Sequence, residues 1–157
     1  MSEWRRQAID GLKPGMVFRF SRTFTKRDVV QFGDITRDYN PVHYDKRFAS
    51  TKRFQDLICH GLLVGGMICE LGGQVGWLAT GMAFHFLRPV YIGETITCEI
   101  EIREIDGRNS ATAEAVFTNS SGVEVLHASL TGYVPGSAEK EVLSKMLAQG
   151  DPTNKRR

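Results

Sequence analysis

The segment His60 to Leu71 reads His-Gly-Leu-Leu-Val-Gly-Gly-Met-Ile-Cys-Glu-Leu, and over these 12 residues a helix would be apolar on almost every face. Such a helix has no side to give to water and must be enclosed by the rest of the fold. Gly61, Gly65 and Gly66 would each cost roughly 1 kcal/mol in an exposed helix, so their presence implies that other backbone packs very close. A sheet wrapped around the helix would provide that contact.

The second half of the chain supplies the sheet. A strand is expected near residues 83–88. Beyond Pro89 and Gly93, Ile96, Cys98, Ile100 and Ile102 alternate with Thr97, Glu99, Glu101 and Arg103, the period of a strand with one buried face. Asp106-Gly107 signals a hairpin, residues 111–118 alternate Ala113, Ala115 and Phe117 against Thr112 and Glu114, and Asn119 to Gly122 turns the chain into a last strand over 123–134. Upstream, residues 16–24 alternate as a first strand. Thr25 and Asp28 then stand in capping-box relation to a helix whose Val29, Phe32, Gly33 and Thr36 share one face. That helix must end before Pro41, and a short helical turn is expected over 45–50. The class is α+β: a long curved antiparallel sheet wrapped around a central buried helix.

At 157 residues the chain fits one domain, and folding should bury roughly 70% of the unfolded surface. The domain is expected to span residues 1–135. A charged tail follows over 136–157, in which Val142, Leu143, Met146 and Leu147 have the spacing of a short amphipathic helix, and Lys155-Arg156-Arg157 would solvate a frayed end. The 20 Lys and Arg against 18 Asp and Glu leave a net charge of +2, scattered enough to argue against nucleic acid as a partner. No apolar run approaches the length of a bilayer. Residues 1–6 lack the apolar core of a secretory signal, so a cytoplasmic location is expected. Cys59, Cys69 and Cys98 match neither a CxxC pair nor a zinc spacing and are read as buried small hydrophobes.

The chain has no nucleophile elbow, phosphate loop, HExxH or dinucleotide fingerprint, and Gly72 to Gly76 is read as a helix C-cap and turn. Two features remain. In Asp38-Tyr39-Asn40-Pro41-Val42-His43 a helix ends, a rigid Asn-Pro turn follows, and two proton-transfer groups stand five residues apart. The alternative is that Asp38 closes a turn and His43 is a half-buried neighbour. The spacing does not suit a metal, with no third ligand nearby. The other feature is His60-Gly61, where a helix start offers unpaired amides to developing negative charge, or where the glycine only serves packing.

Taken together, Asp38-x-Asn40-Pro41-x-His43, His60-Gly61-Leu62-Leu63 and Phe86-Leu-Arg-Pro-Val-Tyr-Ile-Gly93-Glu-Thr resemble the MaoC-like hydratases and dehydratases, especially the (R)-specific enoyl-CoA hydratases, over about residues 13–134. The resemblance implies a hotdog fold. It implies reversible addition of water to a trans-2-enoyl thioester of coenzyme A or acyl carrier protein, giving an (R)-3-hydroxyacyl thioester without metal or redox cofactor. By the same resemblance Asp38 and His43 would hold and activate the water, Asn40 would fix the loop, and the Gly61 amide would bond the thioester oxygen beside His60. Two positions depart from the pattern. Arg37 stands where glycine is common and would be strained at positive φ. Cys69 stands where a serine near the dyad is common. Hotdog thioesterases place a carboxylate on the central helix, which makes Glu70 the residue of an alternative hydrolytic reading; a non-catalytic acyl-thioester-binding module is the other alternative. His85 and His127 are read as sheet residues. A curved sheet with open edges points to a homodimer or higher homo-oligomer, with no membrane partner.

Overall fold

The structure, a computed structural model, describes residues 3–155. Five antiparallel strands form one sheet: β1 (Val17–Thr23), β2 (Leu78–Phe86), β3 (Thr95–Ile105), β4 (Ser110–Asn119) and β5 (Glu124–Tyr133), in the order β1-β3-β4-β5-β2. Period-2 alternation carries over directly into burial. Phe18 and Phe20 of β1, Ile96, Cys98, Ile100 and Ile102 of β3, and Phe117 of β4 all face the core. In the middle of the sheet Ala115 pairs with Ala128, flanked by Ala113. These small side chains leave room for a helix to lie close, as dense packing requires.

That helix is not continuous. α4 (Gly61–Gly65) and α5 (Ile68–Val75) are separated at Gly66 and Met67, where Met67, Cys69 and Glu70 each bond the carbonyl three residues back. This is tighter 3-10 winding, which redirects the chain. Val64, Met67, Ile68, Leu71 and Val75 are all buried against the sheet. α5 runs through Gly72 and Gly73, so within the expected cap segment Gly72 to Gly76 the C-cap is Gly76, left-handed at φ 73°.

β2 begins at Leu78, ahead of the expected 83–88. Almost every residue of this edge strand is exposed and a bulge falls between Ala79 and Gly81, so no one-sided hydrophobic alternation marks its first half. Before the sheet's other strands come α2 (Lys26–Thr36), closed by the Thr25–Asp28 capping box, and α3 (Lys46–Thr51).

Two terminal elements complete the fold. α1 (Glu3–Asp10) lays Trp4 edge-on against Phe18 and Phe20, with ring centroids 5.6 and 5.2 Å apart. Beyond Gly136, α6 (Ser137–Ala148) lies against α1 and buries no residue. The segment after it folds back: Arg5 Nη1 meets Asp151 at 3.1 Å with both side chains at most 3% exposed, Arg5 donates to the Gly73 carbonyl at 3.1 Å, and Gln74 donates to the Thr153 carbonyl at 3.3 Å. The end is thus docked as far as Thr153 and is not frayed there; Lys155 is exposed, and Arg156 and Arg157 lie outside the described residues. Among the described residues no helix is long and apolar enough to cross a membrane.

Candidate active site

The C-terminal end of α2 starts the site. Its cap is Arg37, held left-handed at φ 58° and ψ 28°, a conformation that costs an L-residue about 1–2 kcal/mol. The chain then turns through Asp38. Its carboxylate accepts from the Asn40 amide at 3.2 Å, and the Asn40 side chain accepts in turn from the Val42 amide at 3.3 Å. Pro41–His43 forms one 3-10 turn that carries His43 inward to 7% exposure. Asn40 therefore fixes the loop through its own amide and side chain.

His43 Nδ1 lies 2.8 Å from the Ile58 carbonyl. A carbonyl only accepts, so Nδ1 carries the proton and Nε2 is the bare nitrogen of the neutral ring. Burial pushes the His43 pKa below its ordinary 6.5, against an opposing effect of the Ile58 bond. His43 is accordingly neutral at pH 7 and able to accept a proton.

His60 stacks on His43 with centroids 3.8 Å apart and planes inclined by 30°. It is 1% exposed, and its Nε2 donates to the Asp38 main-chain carbonyl at 3.0 Å. The residue expected at the substrate is thus also tied to the loop bearing Asp38. Asp38, His43 and His60 offer ligand atoms within 4.8 Å of one another, the one such group of three among the described residues. An imidazole binds a metal in its ring plane at roughly 2 Å, and two planes so nearly parallel converge well beyond that reach. A shared cation would need one ring to turn.

Asp38, His43, His60 and Gly61 all line a single cavity of about 640 Å³, whose remaining walls are mainly apolar, Phe32, Val64, Phe86 and Leu126 among them. Gly61 opens α4, and a Cβ there would lie 2.6 Å from the Phe86 ring, so this glycine has a packing reason as well as a possible role for its amide. Asn40 stays in the loop beside the cavity. Cys69 is not brought to the dyad within this chain. It follows the break between α4 and α5 and faces a separate cavity of about 190 Å³ with Trp77 and Met82. It is also exposed, unlike the buried Cys59 and Cys98, whose thiols burial pushes up to about 12. Glu70, the carboxylate of the hydrolytic alternative, is bound to Arg22 at 2.8 Å and does not line the dyad cavity. His85 and His127 face each other across β2 and β5, with His127 2.9 Å from Glu114.

Residue-level reading of the sequence assigned no role to Tyr44 or Phe86. Tyr44 donates to the Asp38 carbonyl at 3.3 Å. The stacked rings of Phe84 and Phe86 on β2 fill the spaces left by Gly65 and Gly61. Glycines four apart on a helix and aromatic residues two apart on a strand are a signal that could have suggested this second pairing.

Residues 11–124 match the family model of the MaoC like domain. The chain is 30% identical over 124 residues to an (R)-specific enoyl-CoA hydratase of Aeromonas caviae, covering 75% of this chain and 92% of that protein. It is 30% identical over 129 residues to the mitochondrial 3-hydroxyacyl-[acyl-carrier-protein] dehydratase FERN of Solanum lycopersicum, covering 79% and 78%. The solved structure of the (R)-hydratase from A. caviae superposes with a TM-score of 0.75 at 28% identity, covering 80% of this chain and 98% of that one. The sheet wrapped around α4 and α5 is the hotdog fold.

Proposed function

Because the chain belongs to the MaoC-like domain family, whose relatives here are hydratases and dehydratases, we propose that it adds water reversibly to a trans-2-enoyl thioester, giving an (R)-3-hydroxyacyl thioester. The observation that carries the reading is the meeting of Asp38, His43 and Gly61 in one mainly apolar cavity. Water is held between the Asp38 carboxylate and the bare Nε2 of His43. Its oxygen bonds to C3 while one of its protons passes to the dyad, and C2 receives a proton in exchange, so that H and OH are added overall. Negative charge appears on the thioester oxygen during attack. The Gly61 amide faces that oxygen, and losing one preorganised donor of this kind costs on the order of 3 kcal/mol.

The chemistry needs no metal or redox cofactor, and the carrier is coenzyme A or an acyl carrier protein, the two carriers that appear in the names of the relatives. The working unit is a homodimer or higher homo-oligomer. The edge strand β2 leaves its outer backbone groups unpaired and exposes Leu78 (70%), Met82 (40%) and Phe86 (54%), an arrangement that a second copy would cover. The cytoplasm is the compartment proposed.

The test is turnover of crotonyl-CoA, followed by loss of its conjugated absorbance, with a thiol reagent reporting hydrolysis in parallel. Absorbance loss without thiol supports hydration. Thiol release identifies a thioesterase instead, and tight binding without turnover identifies a binding module.

A further inference from the structure

We infer that Tyr44 is a positioning residue for Asp38, acting through the Asp38 main-chain carbonyl. The inference rests on the hydration reading only for its rate effect. The Asp38 carboxylate is exposed and accepts one weak bond, from the Asn40 amide at 3.2 Å. What the fold grips is the main chain next to it. The Asp38 carbonyl accepts from His60 Nε2 at 3.0 Å and from the Tyr44 hydroxyl at 3.3 Å, which uses both of its lone pairs.

The hydroxyl is itself seated. A Cβ on Gly33 would collide with Tyr44 Oη, so Gly33, one turn before the left-handed Arg37 on α2, forms a notch for it. The Tyr44 ring stands edge-on to His43 at 6.2 Å and to His60 at 6.1 Å. Of the other titratable groups near Tyr44, Tyr39 donates to Asp34 at 3.1 Å and neither bonds Asp38. The end of α2, the Asn-Pro turn and the start of α4 are therefore joined at one carbonyl. Without the Tyr44 hydroxyl, the Asp38 carbonyl keeps only the His60 bond; the Asp38 amide on Thr36 Oγ1 at 3.3 Å and the Asn40 amide on the carboxylate at 3.2 Å are then the other restraints on the Arg37–Asp38 backbone, and the carboxylate moves relative to His43 Nε2.

Tyr44→Phe keeps the ring and removes only the donor. The expected result is a fall in kcat on crotonyl-CoA of about tenfold, the scale of one hydrogen bond, with KM changed by less than about twofold. Gly33→Ala, which evicts the hydroxyl, should give the same kcat loss, and the double variant should lose no more than either alone. A second readout does not depend on turnover. Asp38 favours the charged form of His43, so the His43 midpoint followed by NMR should drop in Tyr44→Phe and in Asp38→Asn, with no further drop when the two are combined. Unchanged kcat together with an unchanged His43 midpoint in Tyr44→Phe overturns the inference, as does a drop of the same size on the Asp38→Asn background. If the wild type fails to hydrate crotonyl-CoA, the functional reading fails and the NMR comparison still decides the role of Tyr44.

Discussion

His43 combines two effects that act at the level of one side chain. Its Nδ1 proton is committed to the Ile58 carbonyl, and burial lowers its pKa below 6.5. The base form therefore persists to lower pH than in a free histidine, and the acid limb of a kcat/KM profile for hydration should fall entirely below pH 6.5. An acid limb centred above pH 6.5 would contradict this environment. The same shift has a sign in stability. Below pH 6.5 the unfolded chain takes up a proton that folded His43 resists, so this residue's share of stability declines as pH falls from 6.5 and levels off below the folded pKa. The local Asn-Pro pattern marked Asp38 and His43 as a candidate pair but left open that Asp38 only closes a turn, and the family resemblance favoured the pair; the structure brings both to one cavity. Tyr44 was not legible, although it adjoins His43, because its partner notch at Gly33 exists only once α2 has packed. The left-handed Arg37 lies between these cases: the departure from glycine could be read, while the actual φ of 58° needed the structure.

Among the elements, α4 and β2 fit closely through their glycines and rings. Gly61 and Gly65 lie on one helical face, and Phe86 and Phe84 alternate onto one face of the strand, so each ring occupies the space of a missing side chain. A Cβ on Gly65 would stand 2.8 Å from the Phe84 ring. Gly65→Ala gains up to about 1 kcal/mol in helix propensity and meets an overpacking cost of about 1–3 kcal/mol, so the expected net effect is destabilisation by denaturant unfolding. Adding Phe84→Leu should recover part of the loss, giving a favourable coupling in the double-mutant cycle; a strictly additive cycle would show that ring and glycine do not share one space. From sequence the three glycines implied close approach of other backbone; at Gly61 and Gly65 the rings of Phe86 and Phe84 take the space instead. The break of the helix at Gly66–Met67 was not implied, because the apolar run passes through it without a proline or a polar interruption. Cys69 was expected near Asp38 and His43 by family resemblance alone; within this chain it follows the break and lines the second cavity.

For the whole molecule, both chain ends meet on α5. Arg5, Asp151, Thr153, Gln74 and the Gly73 carbonyl make one polar cluster in which the Arg5 and Asp151 side chains are buried and Thr153 is exposed, and the Thr153 hydroxyl, with its amide and Arg5 assisting, holds the Asp151 carboxyl below its ordinary range. Removing one partner of a buried pair leaves the other charge without compensation. Asp151→Asn should therefore cost on the order of 3 kcal/mol in urea unfolding, and the apolar pair Arg5→Met with Asp151→Leu should recover most of it. An unchanged midpoint in Asp151→Asn would show that the ends contribute nothing as a clasp. Neither α1 nor this clasp could be read from sequence, since an arginine near one end and an aspartate 146 positions later carry no local sign of their meeting. The sheet, by contrast, was legible strand by strand wherever one face is buried, and became obscure only at the exposed edge strand β2. The account stands on the dyad cavity that this architecture encloses. Its most direct test is the crotonyl-CoA assay with wild type and Asp38→Asn side by side, both confirmed as folded. Absorbance loss without thiol release in the wild type, nearly abolished in Asp38→Asn, is the predicted result; equal rates in the two proteins, or release of free thiol, would contradict it.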